Sequence, residues 1–214
     1  MLGNERFMAG DPRHAHQDAE RRAEVADGQE PRAALFGCSD SRLSAEIIFD
    51  LGLGDVFVVR NAGQVISDSV VGSLEYAVAV LKVPLIVVLG HDRCGAVLAA
   101  IDSQSTDAAV LPPHIARLIS KIVPAVRRVS GVATGPITRD SLDSLEVGRE
   151  HLIDTISELL SASELISDAI AAGTLAIVGA SYRLLEGRAT ADIVLGSIDL
   201  KHDSLNSHDS LNSH

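Results

Sequence analysis

Ala33-Ala34-Leu35-Phe36-Gly37-Cys38-Ser39-Asp40-Ser41-Arg42 and Leu85-Ile86-Val87-Val88-Leu89-Gly90-His91-Asp92-Arg93-Cys94-Gly95 are two stretches of one design. In each, a short apolar run of strand type leads straight into a compact polar motif. Together they hold the only two cysteines of the chain. If the runs lie side by side as parallel strands, both carboxyl ends reach the same sheet edge, the edge where open α/β sheets bind ligands. Cys38, Cys94, His91 and Asp40 then converge as two thiolates, an imidazole and a carboxylate. That is a soft, tetrahedral donor set, and zinc, one ion per chain, fits it best.

Two plainer readings compete. The cysteines could form a disulfide or be inert buried thiols. No signal-peptide pattern is present, so a cytoplasmic location is expected and a disulfide is disfavoured. A lone His-x-x-Cys spacing arises by chance; two such motifs closing two strands of one α/β pattern is a stronger signal. Cys38, His91 and Cys94 are therefore expected to ligate the metal directly. Asp40 has two options. It could occupy the fourth position, or it could turn away, pair with Arg42 and accept a hydrogen bond from metal-bound water. A simple loop salt bridge is the bland alternative. Two thiolates cancel the formal charge of the dication, which makes the site less electrophilic than a three-histidine one. Water whose pKa is lowered by the metal is still the natural nucleophile.

Composition sets the outer bounds. With 214 residues, 46% hydrophobic content and a mean hydropathy of +0.22, the chain can bury one substantial core, and a single domain is expected over residues 1–200. Aromatic residues make up 3% and tryptophan is absent, so that core must be aliphatic. A formal net charge of −11 argues against a nucleic-acid partner. Charged residues interrupt every apolar run before it reaches bilayer length, so no membrane partner is expected.

Periodicity supplies the elements. Residues 1–30 read as a helical arm with breaks near Gly10-Asp11-Pro12 and Asp27-Gly28. Strands are expected at 32–37, 56–60, 85–89 and 175–180. Helices are expected from Ser44 to Asp50, with Ile47, Ile48 and Leu51 on the sheet, then at 67–82, 95–101, 114–129 with a break at Pro124, and 141–170. Gly131 to Pro136 reads as a loop, and Tyr182 to Ala189 as a hairpin-like turn. Strands alternating with helices predict an α/β fold: a mainly parallel central sheet flanked by helices. His202-Asp203-Ser204-Leu205-Asn206-Ser207 is repeated at 208–213, and residues 201–214 read as a low-complexity, disordered tail.

The two polar motifs, with Phe57-Val58-Val59-Arg60-Asn61-Ala62-Gly63, Ser73-Leu74-Glu75-Tyr76-Ala77-Val78 and Ala176-Ile177-Val178-Gly179-Ala180-Ser181-Tyr182, make the chain resemble the β-class carbonic anhydrases from Leu2 to about Ile198. The resemblance implies zinc-dependent, reversible hydration of carbon dioxide to bicarbonate and a proton by attack of zinc-bound hydroxide. It implies that Asp40 and Arg42 gate the metal. It also assigns substrate-binding positions: Gln29, nine residues before Cys38, Phe57, Tyr76, Ala62 where plant-type members have valine, and the backbone amide of Gly95. In the family the glutamine serves a neighbouring chain, so a dimer or tetramer is expected. Leu35 stands where bicarbonate-inhibited members carry tryptophan, so that regulatory pocket is incomplete. Read without the resemblance, Phe57 and Tyr76 would be core residues and Gln29 a surface one. Two other functions fit the same residues: a carbon disulfide or carbonyl sulfide hydrolase, and a non-catalytic zinc or thiol regulator.

Overall fold

Alternation along the apolar runs decides what each face of the sheet receives. In the computed structural model, which describes residues 2–131 and 137–197, Ala33–Cys38 (β1), Val56–Asn61 (β2), Leu85–His91 (β3), Ala176–Arg183 (β4) and Arg188–Leu195 (β5) form one sheet in the order β2-β1-β3-β4-β5. β1 runs parallel to both β2 and β3, and β3 to β4; only β5 is antiparallel. This is the expected α/β architecture with a mainly parallel sheet.

Ala34, Phe36, Ile86, Val88 and Ile177 point to one face. There they meet Val70, Leu74 and Ala77 of α4 (Asp68–Ala79), Leu152, Ile156 and Leu159 of α8 (Ser144–Ala162), and Ile166 of α9 (Glu164–Ala171). Leu35, Leu89 and Ala180 point the other way. They pack under α3 (Ala45–Ile48), α5 (Gly95–Asp102), α6 (Pro113–Ser120) and α7 (Val123–Ser130). Both layers are almost wholly aliphatic, as the composition requires. Leu74 is fully buried, so Leu74→Ala is expected to cost about 2–5 kcal/mol, read as a lower midpoint in denaturant unfolding.

In the N-terminal region the first helix stops at the break expected near Gly10-Asp11-Pro12, and the helical content is smaller than an arm over 1–30. Only α1 (Leu2–Ala9) and α2 (Ala19–Glu24) are helical. The connection between them is held by side chains instead. Buried Asp50 accepts hydrogen bonds from the backbone N–H groups of Arg13 and His14, each at 3.0 Å, and from Arg6 Nε. These donors, the Arg13 amide first, hold its carboxyl down at about 2. Asn4 is buried and bridges three segments: its amide donates to the carbonyls of Ile48 and Gly187, and its oxygen accepts from Ala189 N–H.

Other differences have local causes. The helix expected over Ser44–Asp50 is a single turn, and Ile47 is 56% exposed rather than turned onto the sheet. One turn cannot bury three consecutive directions, and Ile48 takes the core position. The break expected at Pro124 is present: 114–129 is two helices, with Pro124 in the first turn of the second, where its missing N–H costs nothing. The hairpin around Glu186-Gly187 continues into β5, a strand absent from the sequence reading. Residues 132–136 and the repeated tail at 201–214 lie outside the described residues.

Candidate metal centre

The two polar motifs begin where β1 and β3 end. These strands are neighbours and parallel, with Gly37 opposite Leu89, so Cys38 and His91 leave the sheet at one edge. The chain then reverses at Arg93, φ 51°, and Cys94 becomes the N-cap of α5. The ligand atoms of Cys38, His91 and Cys94 lie within 4.8 Å of one another, and all three residues are buried. Both thiols are free.

The hydrogen bonds leave this set short of one partner. His91 Nδ1 is 2.8 Å from the Asp92 carbonyl oxygen, which can only accept, so Nδ1 carries the proton. His91 Nε2 is then a bare lone pair, buried and without a partner. Cys38 Sγ accepts the Gly63 N–H at 3.3 Å. The thiol–thiol contact with Cys94 comes first among the influences that draw Cys38 down to about 4; His91 and the Gly63 amide add to it, against burial. The same contact and burial push Cys94 up. The pair thus holds one proton loosely and one tightly. Two thiols and an unprotonated imidazole nitrogen, buried together, suit a thiophilic divalent cation.

Asp40 stands beside this cluster and not in it: among the described residues the converging group contains Cys38, His91 and Cys94 alone. Its Oδ1 accepts from the Arg42 backbone N–H at 3.0 Å and from Arg42 Nε at 2.8 Å, and its Oδ2 accepts from Arg42 Nη2 at 2.6 Å. The fork holds the Asp40 carboxyl far below the usual carboxylate range. Arg42 also reaches the Arg93 carbonyl at 3.3 Å and so ties the two motifs together.

The remaining sequence-predicted residues fall into two groups. Ala62 and Gly95 are exposed and follow β2 and Cys94, on the metal side of the sheet. Gln29, Phe57 and Tyr76 are elsewhere. Phe57 pairs in register with Ala34, four residues before Cys38, which is about 13 Å along the strand. Its ring lies 6.1 Å from that of Tyr76, which is 46% exposed. Gln29 is exposed and precedes β1, beyond the end of the strand opposite to Cys38, and is not helical.

Two supports were missed in the sequence reading. Arg60 donates from Nε to the Cys38 carbonyl at 2.9 Å and from Nη2 to the Asp40 carbonyl at 2.7 Å, bracing the loop that carries both. Its place at the end of a strand neighbouring β1 is the one signal for it. Asp92 accepts the Leu184 N–H at 2.9 Å and anchors the second motif to the β4–β5 hairpin.

A family model described as carbonic anhydrase matches residues 33–189. The chain belongs to the β-carbonic anhydrase family. It is 48% identical over 197 residues to carbonic anhydrase 2 of Mycobacterium tuberculosis, covering 92% of this chain and 91% of that one. It is 46% identical over the same length to a carbonic anhydrase of Mycolicibacterium smegmatis, with the same coverage. A tetrameric β-carbonic anhydrase of Sordaria macrospora superposes with a TM-score of 0.68 at 25% identity, covering 91% of this chain and 96% of that one. The β-carbonic anhydrase of Coccomyxa, solved with acetazolamide, gives 0.67 at 27% identity, covering 92% and 86%. By family and by these relatives the chain is a carbonic anhydrase-class enzyme.

Proposed function

We propose that this enzyme hydrates carbon dioxide reversibly to bicarbonate and a proton, with one zinc ion held by Cys38, His91 and Cys94. The observation that carries the reading is the buried, unpartnered Nε2 of His91 beside two free thiols. Zinc bound there supplies a Lewis acid that makes water nucleophilic near neutral pH. The protein's part is to position and to discriminate. The Asp40–Arg42 fork keeps an ionised acceptor fixed next to the metal ligands. The first-turn amide of Gly95, at the positive end of α5, is placed to receive an oxygen of bicarbonate. No helix among the described residues is long and apolar enough to cross a membrane, and we place the enzyme in the cytoplasm.

Gln29, Phe57 and Tyr76 cannot serve the metal of their own chain from the far end of the strands. If they line a substrate pocket, it is that of a second copy. An apolar groove of about 490 Å³, lined by Leu2, Leu35, Val56, Leu85, Val87 and Val178, opens on the sheet face at this same end. Such a surface calls for a partner. The working unit is therefore a homodimer or a multiple of one.

Stopped-flow hydration of carbon dioxide by protein of known zinc content tests the activity. Turnover proportional to bound zinc is expected; one zinc per chain with no turnover at alkaline pH would identify a metal-binding regulator instead. Light scattering tests the assembly. A monomer that keeps full activity would remove Gln29, Phe57 and Tyr76 from the site.

A further inference from the structure

His151 is 2% exposed and belongs to no part of the site described so far. It lies on α8, and its Nε2 is 2.7 Å from the carbonyl oxygen of Gly63. A carbonyl only accepts, so the proton is on Nε2, while Nδ1 is buried with no partner. Burial lowers the pKa of this imidazole. Four residues on, the single hydroxyl proton of Thr155 goes to the His151 carbonyl of its own helix, at 2.8 Å; the Gln64 carbonyl is farther off, at 3.3 Å. The grip of α8 on the segment between β2 and α4 is therefore the bond from His151 to the Gly63 carbonyl.

The gripped segment has little freedom of its own choosing. Gly63 and Gln64 both have positive φ, 77° and 41°. A Cβ at Gly63 would lie 2.7 Å from the Ala96 Cβ, so only glycine fits against α5. Asn61 closes the turn from the other side, donating to the Val65 carbonyl at 2.7 Å and accepting its N–H at 2.9 Å. Gln64 at φ 41° is a strained choice for a side-chain-bearing residue, and such strain persists only where surrounding bonds over-determine it. The outcome of this arrangement is one N–H, that of Gly63, aimed at Cys38 Sγ.

We infer that His151 is a positioning residue for the metal centre: by donating to the Gly63 carbonyl it fixes the orientation in which the Gly63 amide hydrogen-bonds the Cys38 sulfur. A hydrogen bond to a thiolate withdraws charge from it, and partners of this kind tune how strongly a ligand binds and how electrophilic the metal remains. In this chain two thiolates already neutralise a dication, so an amide that thins the charge on one of them works in favour of Lewis acidity. Without the His151 donor, the Gly63 carbonyl is left buried and unpaired, and the turn is free to rotate its amide away.

The inference rests on the proposed metal site and not on turnover, and its test separates the two. His151→Leu removes the donor at similar volume. His151→Gln keeps an N–H near the position of Nε2. Leu152→Ala opens a cavity on the same helix without touching the turn. The readouts are zinc affinity by competition with a chromophoric chelator, and the thiolate-to-cobalt charge-transfer band of the cobalt-substituted protein. In His151→Leu the affinity is expected to fall about tenfold, at the low end for outer partners of a metal ligand. Its band should move to lower energy, because the Cys38 sulfur is more electron-rich. His151→Gln should keep both near the parent values, and Leu152→Ala should lower the melting temperature while leaving both unchanged. His151→Met, a second apolar replacement of similar size, should move affinity and band in the same direction, and it reads the effect even if His151→Leu folds poorly. Parent affinity and band in both His151→Leu and His151→Met would overturn the inference. So would a Leu152→Ala shift as large as theirs, or no rescue by His151→Gln. A parent protein that takes up neither metal overturns this inference and the metal site together; a parent that binds both but hydrates no carbon dioxide overturns only the activity.

Discussion

Cys38→Ser, His91→Ala and Cys94→Ser are each expected to lose most of the bound zinc, with affinity down by at least about 100-fold. Outer partners of a metal ligand cost about 10- to 100-fold when removed, and a direct ligand must cost more. Each of the three supplies one of the converging donors, and among the described residues no fourth member of the group stands by to replace it. The hydroxyl of serine is a poor substitute for a thiolate, being harder and scarcely ionised at neutral pH. Zinc removal from the parent should also lower its stability. A ligand present at 1,000 times its Kd stabilises the folded state by about 4 kcal/mol, and that contribution disappears with the metal. Metal analysis after dialysis against a chelator, with thermal unfolding of the zinc-loaded and stripped protein, checks both expectations. A full zinc complement in all three variants would sink the ligand assignment.

What could be seen in advance was whatever a strand end announces locally. Cys38 and His91 each close an apolar run, and parallel neighbours deliver both to one edge, so the sheet type and the meeting of Cys38, His91 and Cys94 are legible in the same two stretches, whereas Asp40, expected to converge with them, stands outside the group. The strand β5 had no such signature. Arg188-Ala189-Thr190-Ala191-Asp192-Ile193-Val194-Leu195 is an edge strand with five of its eight residues exposed, and its polar and small residues look like loop. Ile47 faces solvent because a helical repeat over seven residues does not form there; only one turn does. His151 was invisible for a different reason. Its partner Gly63 is 88 residues away, and on a helix a buried histidine looks like any other inward position until the fold brings a carbonyl to it. Gln29, Phe57 and Tyr76 carry meaning only through the family resemblance, since nothing in their own surroundings directs them to a metal.

Arg42→Ala is expected to keep its zinc, at about one per chain, and to lose about 90% or more of its hydration activity, within the range seen when outer partners of a metal site are removed. The reason lies in what holds Asp40. Of its three hydrogen bonds from Arg42, two come from the guanidinium, at 2.8 and 2.6 Å, and only the backbone N–H at 3.0 Å survives the substitution. A carboxylate released beside the proposed zinc ligands would itself be a good zinc ligand and would close the position that substrate chemistry requires. Arg42→Lys should fall in between, because an ammonium supplies charge but not a planar fork. The pH dependence follows from the sign of the Asp40 shift. The fork holds Asp40 ionised far below neutrality, so between mildly acid and alkaline pH this group does not change charge. Activity that rises with pH through that range, as expected for the parent, must come from a metal-linked ionisation. In Arg42→Ala that rise should move to higher pH, since the freed carboxylate has to be displaced first. Zinc content and the pH profile of hydration, measured on the same preparations, test the argument. A flat parent profile from mildly acid to alkaline pH, with Arg42→Ala as active as the parent, would leave Asp40 and Arg42 as nothing more than a loop ion pair.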